Sequence, residues 1–312
     1  MAMSGLRSVT VLLPALDAGL GEAPRLARML GRADALEPGV LGREAQLLRH
    51  FRVVPTRIPV APLTRLLDAR DAGLGTWVRC DPAHVRPDLS TARMLACGTG
   101  LELDAAEAEA LLAPLRPLFG DFGMPISAPH PQRWYAQLPA EAAVPALVPP
   151  EVALGRDLFD CLPPGPQGQR WRRLWNEAQV LLHHNEVNRS RTRRGLPEVN
   201  SLWFWGAGRL PDSALAPFSG VLTLDPVLRG LAKLAELPER AAEEAWTPGT
   251  LVDLVHVPGP AAIEQGIVAE MAEVLRLGAL DEIVLDSTDG RRWVLAPRQR
   301  WRFWKRPLHG GS

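Results

Sequence analysis

Lysine is almost missing from this 312-residue chain: Lys233 and Lys305 are the two, and arginine carries the rest of the 35 positive charges. Such an excess reads first as compositional bias and second as a preference for bidentate anion contacts. Acidic residues also number 35, so the formal net charge is zero. No global field then draws the chain to nucleic acid or to a membrane, and any anion site has to be local. Cysteine is scarce too. Cys80, Cys97 and Cys161 are odd in number and share no Cys-x-x-Cys or Cys-His spacing, which argues against a disulfide framework and a structural zinc and fits a reducing cytoplasm. Long apolar runs are lacking: none approaches the roughly 20 residues that span a bilayer. The run after Arg7 is short, reaches Asp17 and carries no small-residue cleavage site. The expectation is a soluble, cytoplasmic protein with no membrane partner, for which nucleic acid is not the expected ligand.

Proline and glycine are plentiful, 30 and 27 residues, about 18% of the chain against an ordinary usage of about 12%. They follow no collagen-like period and mark frequent loops. With 46% hydrophobic residues the chain can build one large α/β domain or two modest ones. Residues 9–16 read as a buried strand closed by Pro14. Helical spacing follows at 24–30, 42–51 and 62–72, then strands at 76–79 and 92–97. Asp104 with Glu107 suggests an N-cap and a capping box for a helix over 104–119. Two strands at 124–127 and 133–138 precede a proline-rich stretch with one short helix near 157–161.

Residues 169–194 form the most convincing helix, with an apolar stripe of Trp171, Leu174, Trp175, Ala178, Leu181 and Leu182. Strands at 201–205, 220–224 and 251–257 then alternate with helices at 227–237 and 261–277. A hairpin over 282–285 and 292–295 follows. This alternation predicts a doubly wound, mainly parallel sheet with a smaller inserted α+β subdomain. Residues 1–75 would form the first part of the α/β core, 76–140 the subdomain, 141–168 a proline-rich linker and 169–312 the second part of the core. The tail Arg298-Gln-Arg-Trp-Arg-Phe-Trp-Lys-Arg306 alternates as a final half-buried strand would, or else stacks nucleobases or lies on an anionic surface.

The most unusual string is Asn188-Arg-Ser-Arg-Thr-Arg-Arg-Gly195, followed by Leu-Pro-Glu-Val-Asn200-Ser-Leu-Trp203-Phe-Trp205-Gly206-Ala-Gly208. A helix ends in arginines, crosses a Gly-Pro turn and feeds a strand that ends in a Gly-x-Gly loop. In an open parallel sheet that loop would face the crevice where ligands bind. Equally, the arginines would complement a helix dipole and the tryptophans would be core. Arg79, Asp81 and His84 suggest a second ligand loop after a strand, against which stands the ordinary Asp-Pro turn. His183 and His184 point about 100° apart on a helix and read as surface rather than as metal ligands.

The long string resembles the signature of the archaeal-type, cofactor-independent phosphoglycerate mutases of the alkaline phosphatase superfamily. Their Asn-x-x-Arg-x-x-x-Gly and Ala-Asn-x-x-Trp-x-Trp-Gly-x-Gly patterns fall on Asn188, Arg191, Gly195, Asn200, Trp203, Trp205, Gly206 and Gly208, with Val199 in place of the alanine. Arg79-Cys-Asp-Pro-Ala-His84 and Gln132-Arg-Trp-Tyr135 look more like the smaller, RpfE-type regulatory relatives. The resemblance implies a phosphoryl-transfer scaffold with two divalent metals and a Ser or Thr nucleophile. Those parts are missing. The first strand ends Pro14-Ala15-Leu16 where the family has Asp-Gly, with Asp17 displaced, and no serine or threonine stands between Thr10 and Thr56. His256 is followed by Val257-Pro-Gly-Pro rather than by the family's further ligands, and Asp286-Ser287-Thr288 lacks the family's histidine. The resemblance therefore implies a non-catalytic, phosphoglycerate-mutase-like protein with a regulatory or ligand-sensing role, with neither metal nor cofactor. Arg79, His84, Asn188, Arg191, Asn200, Trp203, Trp205, Gly206 and Gly208 would bind a small phosphorylated or carboxylated ligand, and a protein partner is the other possibility. The alternatives are a divergent mutase or metal-dependent phosphohydrolase using Asp17, Asp225, Asp253 or Asp286, and an interaction module built on the C-terminal tail.

Overall fold

Five of the six residues of Ser8–Leu13 are buried, the pattern of a strand covered on both faces at the centre of a parallel sheet. The computed structural model describes residues 6–16, 19–88 and 91–309. Its strands are β1 (Ser8–Leu13), β2 (Asp34–Ala35), β3 (Arg52–Val54), β4 (Thr76–Pro87), β5 (Ala92–Cys97), β6 (Ile126–His130), β7 (Arg133–Leu138), β8 (Ser201–Arg209), β9 (Ser213–Leu215), β10 (Gly220–Leu222), β11 (Thr250–Asp253), β12 (Glu282–Ser287) and β13 (Arg292–Leu295). Its α-helices are α1 (Pro24–Arg32), α2 (Arg43–His50), α3 (Val60–Asp68), α4 (Ala105–Leu112), α5 (Leu115–Asp121), α6 (Pro150–Ala153), α7 (Gly165–His183), α8 (Glu186–Arg193), α9 (Pro226–Leu234), α10 (Gly259–Gly266) and α11 (Val268–Arg276). The class is mixed α/β, as expected. Among the described residues no helix is long and apolar enough to cross a membrane.

The chain divides into two units, one made of residues 1–58 and 211–312 and the other of residues 59–210. The first holds a six-stranded sheet in the order β10-β11-β1-β12-β13-β2. β10, β11, β1 and β12 run parallel, while β13 and β2 are antiparallel to their neighbours. Leu26 and Leu30 of α1 and Met271 of α11 pack with Val9, Val11 and Ile283 to form its core. Aliphatic side chains at helical spacing meet β-branched strand residues, which is what covers a parallel sheet.

The second unit is built on an antiparallel sheet in which β4 pairs with β5, β7 and β8. Here the structure moves the expected boundaries. Residues 169–210 belong to this inserted unit, because Trp171, Leu174, Trp175, Ala178 and Leu182 of α7 pack with Val78, Trp134, Leu202 and Phe204 of the antiparallel sheet. The proline-rich stretch is no bare linker either: Ala153, Leu158 and Cys161 are buried in the same core.

Several elements are shorter or longer than their pattern suggests. The helix expected over 104–119 splits into α4 and α5 at Pro114, which lacks the N–H to continue it. Asp104 caps α4 as expected, accepting the Glu107 N–H at 2.8 Å. The helix over 169–194 becomes α7 and α8, restarted by Asn185, whose side chain accepts from Val187 N at 3.0 Å. β4 runs on through Asp81 and Pro82, so Arg79, Asp81 and His84 lie in a strand and not in a loop. Pro82 falls between the stretch paired with β7 and the stretch paired with β5, where no ladder bond needs its missing N–H. The tail is not a half-buried strand. Residues Pro297–Trp301 form a 3₁₀ turn, and Trp301, Phe303 and Trp304 stay exposed.

Candidate functional site

Parallel strands deliver their last residues to one edge of the sheet, where ligand sites of α/β folds lie. Asp253 ends β11 and Asp286 sits near the end of β12, both in register with Leu12 of β1. Asp225 follows β10 as the N-cap of α9, accepting from Val227 N at 2.8 Å. Over these carboxylates α2 lays Arg43, Gln46, Arg49 and His50, whose spacing of three, six and seven residues puts them on neighbouring turns of one face. Arg43 Nη2 donates to Asp225 Oδ2 at 2.8 Å and to Asp253 Oδ2 at 2.7 Å. Thr223 Oγ1 donates to the same Asp253 oxygen at 2.7 Å. Arg49 binds Asp286 through Nε at 2.9 Å and Nη2 at 2.6 Å, and His50 Nε2 stands 2.7 Å from Asp286 Oδ2. Gln46 Nε2 donates to the carbonyls of Leu13 and Asp286 at 3.1 and 2.6 Å, which pins the helix to the strand ends.

Burial alone would raise the Asp286 carboxyl, but the bonds from His50 and Arg49 outweigh it and hold the group below the usual carboxylate range. A carboxyl depressed in the folded state contributes stability above its unfolded value and loses it as pH falls through the folded one. Urea unfolding of the native chain between pH 7 and pH 3 should therefore show a steeper loss than that of Asp286→Asn. Parallel curves would mean that Asp286 carries none of the acid sensitivity, although other depressed carboxyls such as Asp289 contribute to both.

Oxygen and imidazole donors suited to a divalent cation are present at this edge. Asp225, Asp253 and His256 offer ligand atoms that all lie within 4.8 Å of one another, the one such group among the described residues. Yet they do not fit a resident ion, because an Arg43 nitrogen already bonds both carboxylates. A guanidinium stands there as the cation, with a single positive charge between the two carboxylates. Asp286 is likewise engaged by Arg49 and His50. Ser287, the hydroxyl beside it, donates to the Pro14 carbonyl at 2.7 Å. Asp17, the other acid considered from the sequence, lies outside the described residues.

The second polar assembly lies in the inserted unit and contains Arg79. Its guanidinium forms two bonds to Asp81 at 2.9 and 2.8 Å and a third to Thr64 Oγ1 at 3.2 Å. Trp205 Nε1 donates to Asp81 Oδ2 at 2.7 Å. Arg65 pairs in the same two-pronged way with Asp71, and Arg133 with Asp68. Tyr135 donates its hydroxyl to Asp68 Oδ2 at 2.6 Å. The arginines also lie against aromatic faces: Arg65 is 3.6 Å from the Trp77 ring centre, and Arg79 is 5.3 Å from those of Tyr135 and Trp205. Burial pushes the Asp81 carboxyl up against the pull of Arg79, and pushes the Tyr135 phenol up as well. Burial and the neighbouring Arg133 hold His130 below its ordinary value. Every guanidinium of this assembly has its own carboxylate, so the cluster is self-neutralised and an anion would have to displace Asp81 to reach Arg79.

The other residues of the signature string hold the chain to itself. Asn188 Nδ2 donates to the carbonyls of Leu182 and Val199, and its Oδ1 accepts from Val199 N at 2.8 Å. Arg191, fully buried, donates to the carbonyls of Pro197 and Leu101 and to Glu107. Asn200 closes both backbone bonds of Val85 at 2.8 Å. His84 Nδ1 donates to the Glu198 carbonyl at 2.9 Å, and Trp203 Nε1 to that of Val148 at 2.8 Å. Gly206 and Gly208 are not a loop at a crevice. They lie inside β8, where an extra residue opposite Trp77 and Arg79 makes a bulge with Gly206 at φ 64°. A Cβ on Gly206 would stand 2.7 Å from Val60 Cβ, and one on Gly208 2.6 Å from Pro59 Cβ. Both glycines thus let the start of α3 pack onto the strand. Sequence reasoning passes over Arg43, Gln46, Arg49 and His50, because helical spacing alone does not separate a face laid on a sheet edge from a solvated one.

No protein-family model matches the chain. Over 68 residues, 22% of this chain and 17% of the relative, it is 34% identical to a probable 2,3-bisphosphoglycerate-independent phosphoglycerate mutase from Geobacter sulfurreducens. Over 64 residues, 20% of this chain and 16% of the relative, it is 35% identical to the 2,3-bisphosphoglycerate-independent phosphoglycerate mutase of Methanothrix thermoacetophila. The matches thus span about a sixth of the length of these curated relatives. Among solved structures, a cofactor-independent phosphoglycerate mutase from Thermoplasma acidophilum aligns over 93% of this chain and 89% of its own, at 16% identity and a TM-score of 0.42. A protein from Pyrococcus horikoshii aligns over 93% and 87%, at 11% identity and a TM-score of 0.48. In sequence, over about a fifth of its length, this chain is similar to the cofactor-independent phosphoglycerate mutases.

Proposed function

We propose that this chain is a phosphoglycerate-mutase-like protein without metal-dependent turnover, acting as a regulator or as a sensor of a small ligand. The observation that carries this reading is the pair of arginines on α2. Arg43 bridges Asp225 and Asp253, and Arg49 grips Asp286, so the carboxylates at the sheet edge are already engaged by guanidiniums. Phosphomonoester chemistry needs cations free to meet the substrate and a hydroxyl to receive the phosphoryl group, and the stretch between Thr10 and Thr56 offers no hydroxyl of serine or threonine. The regulatory half of the proposal rests on the likeness to the smaller RpfE-type proteins, and it sets the protein in the cytoplasm. A small phosphorylated or carboxylated ligand would enter at Arg79, in exchange for Asp81.

A metal-dependent phosphotransferase is the second reading, favoured by the convergence of Asp225, Asp253 and His256. A third, an interaction surface for a protein or nucleic acid, is favoured by the exposed Trp301, Phe303 and Trp304 beside Arg300. Phosphoglycerate mutase and phosphatase turnover measured with added Mn²⁺, Mg²⁺ or Zn²⁺ separates the first two. Turnover no greater than that of an unrelated protein is the expected result. Robust activity abolished by chelation would transfer the argument to the second reading.

A further inference from the structure

The first unit also carries a groove far in kind from either polar assembly. Between α1, α11 and the turn after β13 lies a cavity of about 390 Å³, within the range of about 300–1,000 Å³ that suits small ligands. Its floor is apolar, supplied by Met29, Val268, Ala272, Leu275 and Leu295. Around it stand Arg25, Arg28, Arg32, Arg276 and Arg300, and the lining contains no acidic residue. Arg276 is paired with Glu273. Among the described residues no carboxylate lies within ion-pair distance of the guanidiniums of Arg25, Arg28, Arg32 or Arg300; Arg32 Nη1 donates to the Arg300 carbonyl at 3.4 Å, and Arg300 lies over the Trp301 ring. The Nε of Arg32 is buried and has no hydrogen-bond partner, a donor whose desolvation nothing in the protein offsets.

An apolar floor ringed by guanidiniums, four of them without a carboxylate partner, is complementary to a molecule with an apolar body and an anionic head. We propose that this groove binds a small amphipathic anion, an alkyl or aryl chain carrying a carboxylate or phosphate, taken up as a free molecule rather than from a bilayer. The head would bond Arg32 and the neighbouring guanidiniums, and the chain would cover Ala272 and Leu275. This inference is independent of whether the carboxylates at the sheet edge ever meet a metal.

Calorimetric titration of the full chain with octyl phosphate, kept below its micelle concentration, tests it. Saturable one-to-one binding is expected, with octanol and inorganic phosphate each at least tenfold weaker. The double variant Arg28→Glu/Arg300→Glu should weaken binding at least tenfold. Ala272→Phe, which fills the floor at an exposed position, should do the same while leaving the melting temperature of the ligand-free protein unchanged. No saturation by octyl phosphate, or binding that survives both variants, would overturn the proposal. So would co-sedimentation with phosphatidylglycerol vesicles that is lost in the double variant while octyl phosphate binds neither protein, since the groove would then face a lipid surface. Capture of an acidic helical peptide in place of octyl phosphate would likewise reassign it to a protein partner.

Discussion

Arg43→Ala should turn the sheet edge into a cation site. In the native chain one guanidinium nitrogen holds both Asp225 and Asp253. Removing it leaves two nearby carboxylates without their counter-charge, and losing one partner of a buried ion pair costs about 3–5 kcal/mol. Arg43 is partly exposed, so the lower end, about 3 kcal/mol, is expected. The same vacancy brings Asp225, Asp253 and His256 together with nothing between them, a set of oxygen and imidazole donors suited to Mn²⁺. A ligand at 100 times its dissociation constant adds about 2.7 kcal/mol, so Mn²⁺ should restore most of what the substitution removes. Denaturation of both proteins with and without MnCl₂ checks this. A native chain that gains as much from Mn²⁺ as the variant would mean that Arg43 does not exclude the ion, and the metal-dependent reading would gain accordingly.

Arg191→Met should be the most damaging single change in the inserted unit. The Arg191 side chain is wholly buried, and its guanidinium satisfies the carbonyls of Leu101 and Pro197 together with the Glu107 carboxylate. Methionine matches much of its volume but none of its donors. Two carbonyls would be left without that partner, at about 1–3 kcal/mol for each buried acceptor, while Arg194 still reaches Glu107. A loss of about 3–5 kcal/mol is expected in urea unfolding. Arg191→Lys should recover only part of it, because an ammonium cannot span three acceptors with a planar fork. If Met were tolerated within about 0.5 kcal/mol, the scale of a surface substitution, the buried contacts of Arg191 would not be what holds this part of the unit together.

The signature string shows why a motif can be legible while its work is not. Asn188, Arg191, Asn200, Trp203, Gly206 and Gly208 stand out in the sequence. The side chains of Arg191, Asn200 and Trp203 nevertheless meet main-chain groups far away in the chain: Leu101 lies 90 residues from Arg191, Val85 lies 115 from Asn200 and Val148 lies 55 from Trp203. Spacing along a strand says nothing about such partners. From sequence the Gly-x-Gly string reads as a loop at a parallel sheet's edge, because strand direction leaves no local trace. In the fold β8 is antiparallel to β4. Arg43 and Arg49 escape a sequence reading for a related reason: arginines on a polar helix face resemble any solvated surface until the sheet edge beneath them is known.

Local chemistry settled what depends on neighbours in sequence. The buried run of β1, the Asp104 cap and the scarcity of hydroxyls early in the chain could all be read from the sequence, because each follows from side-chain type or periodicity within a few residues. Which unit α7 joins, which carboxylate each arginine meets and where four guanidiniums gather without a carboxylate were decided only by tertiary structure. Those outcomes turn on distances of a few ångströms between residues far apart in the chain, and Coulomb and hydrogen-bond energies are set by that separation and burial rather than by order along the polymer.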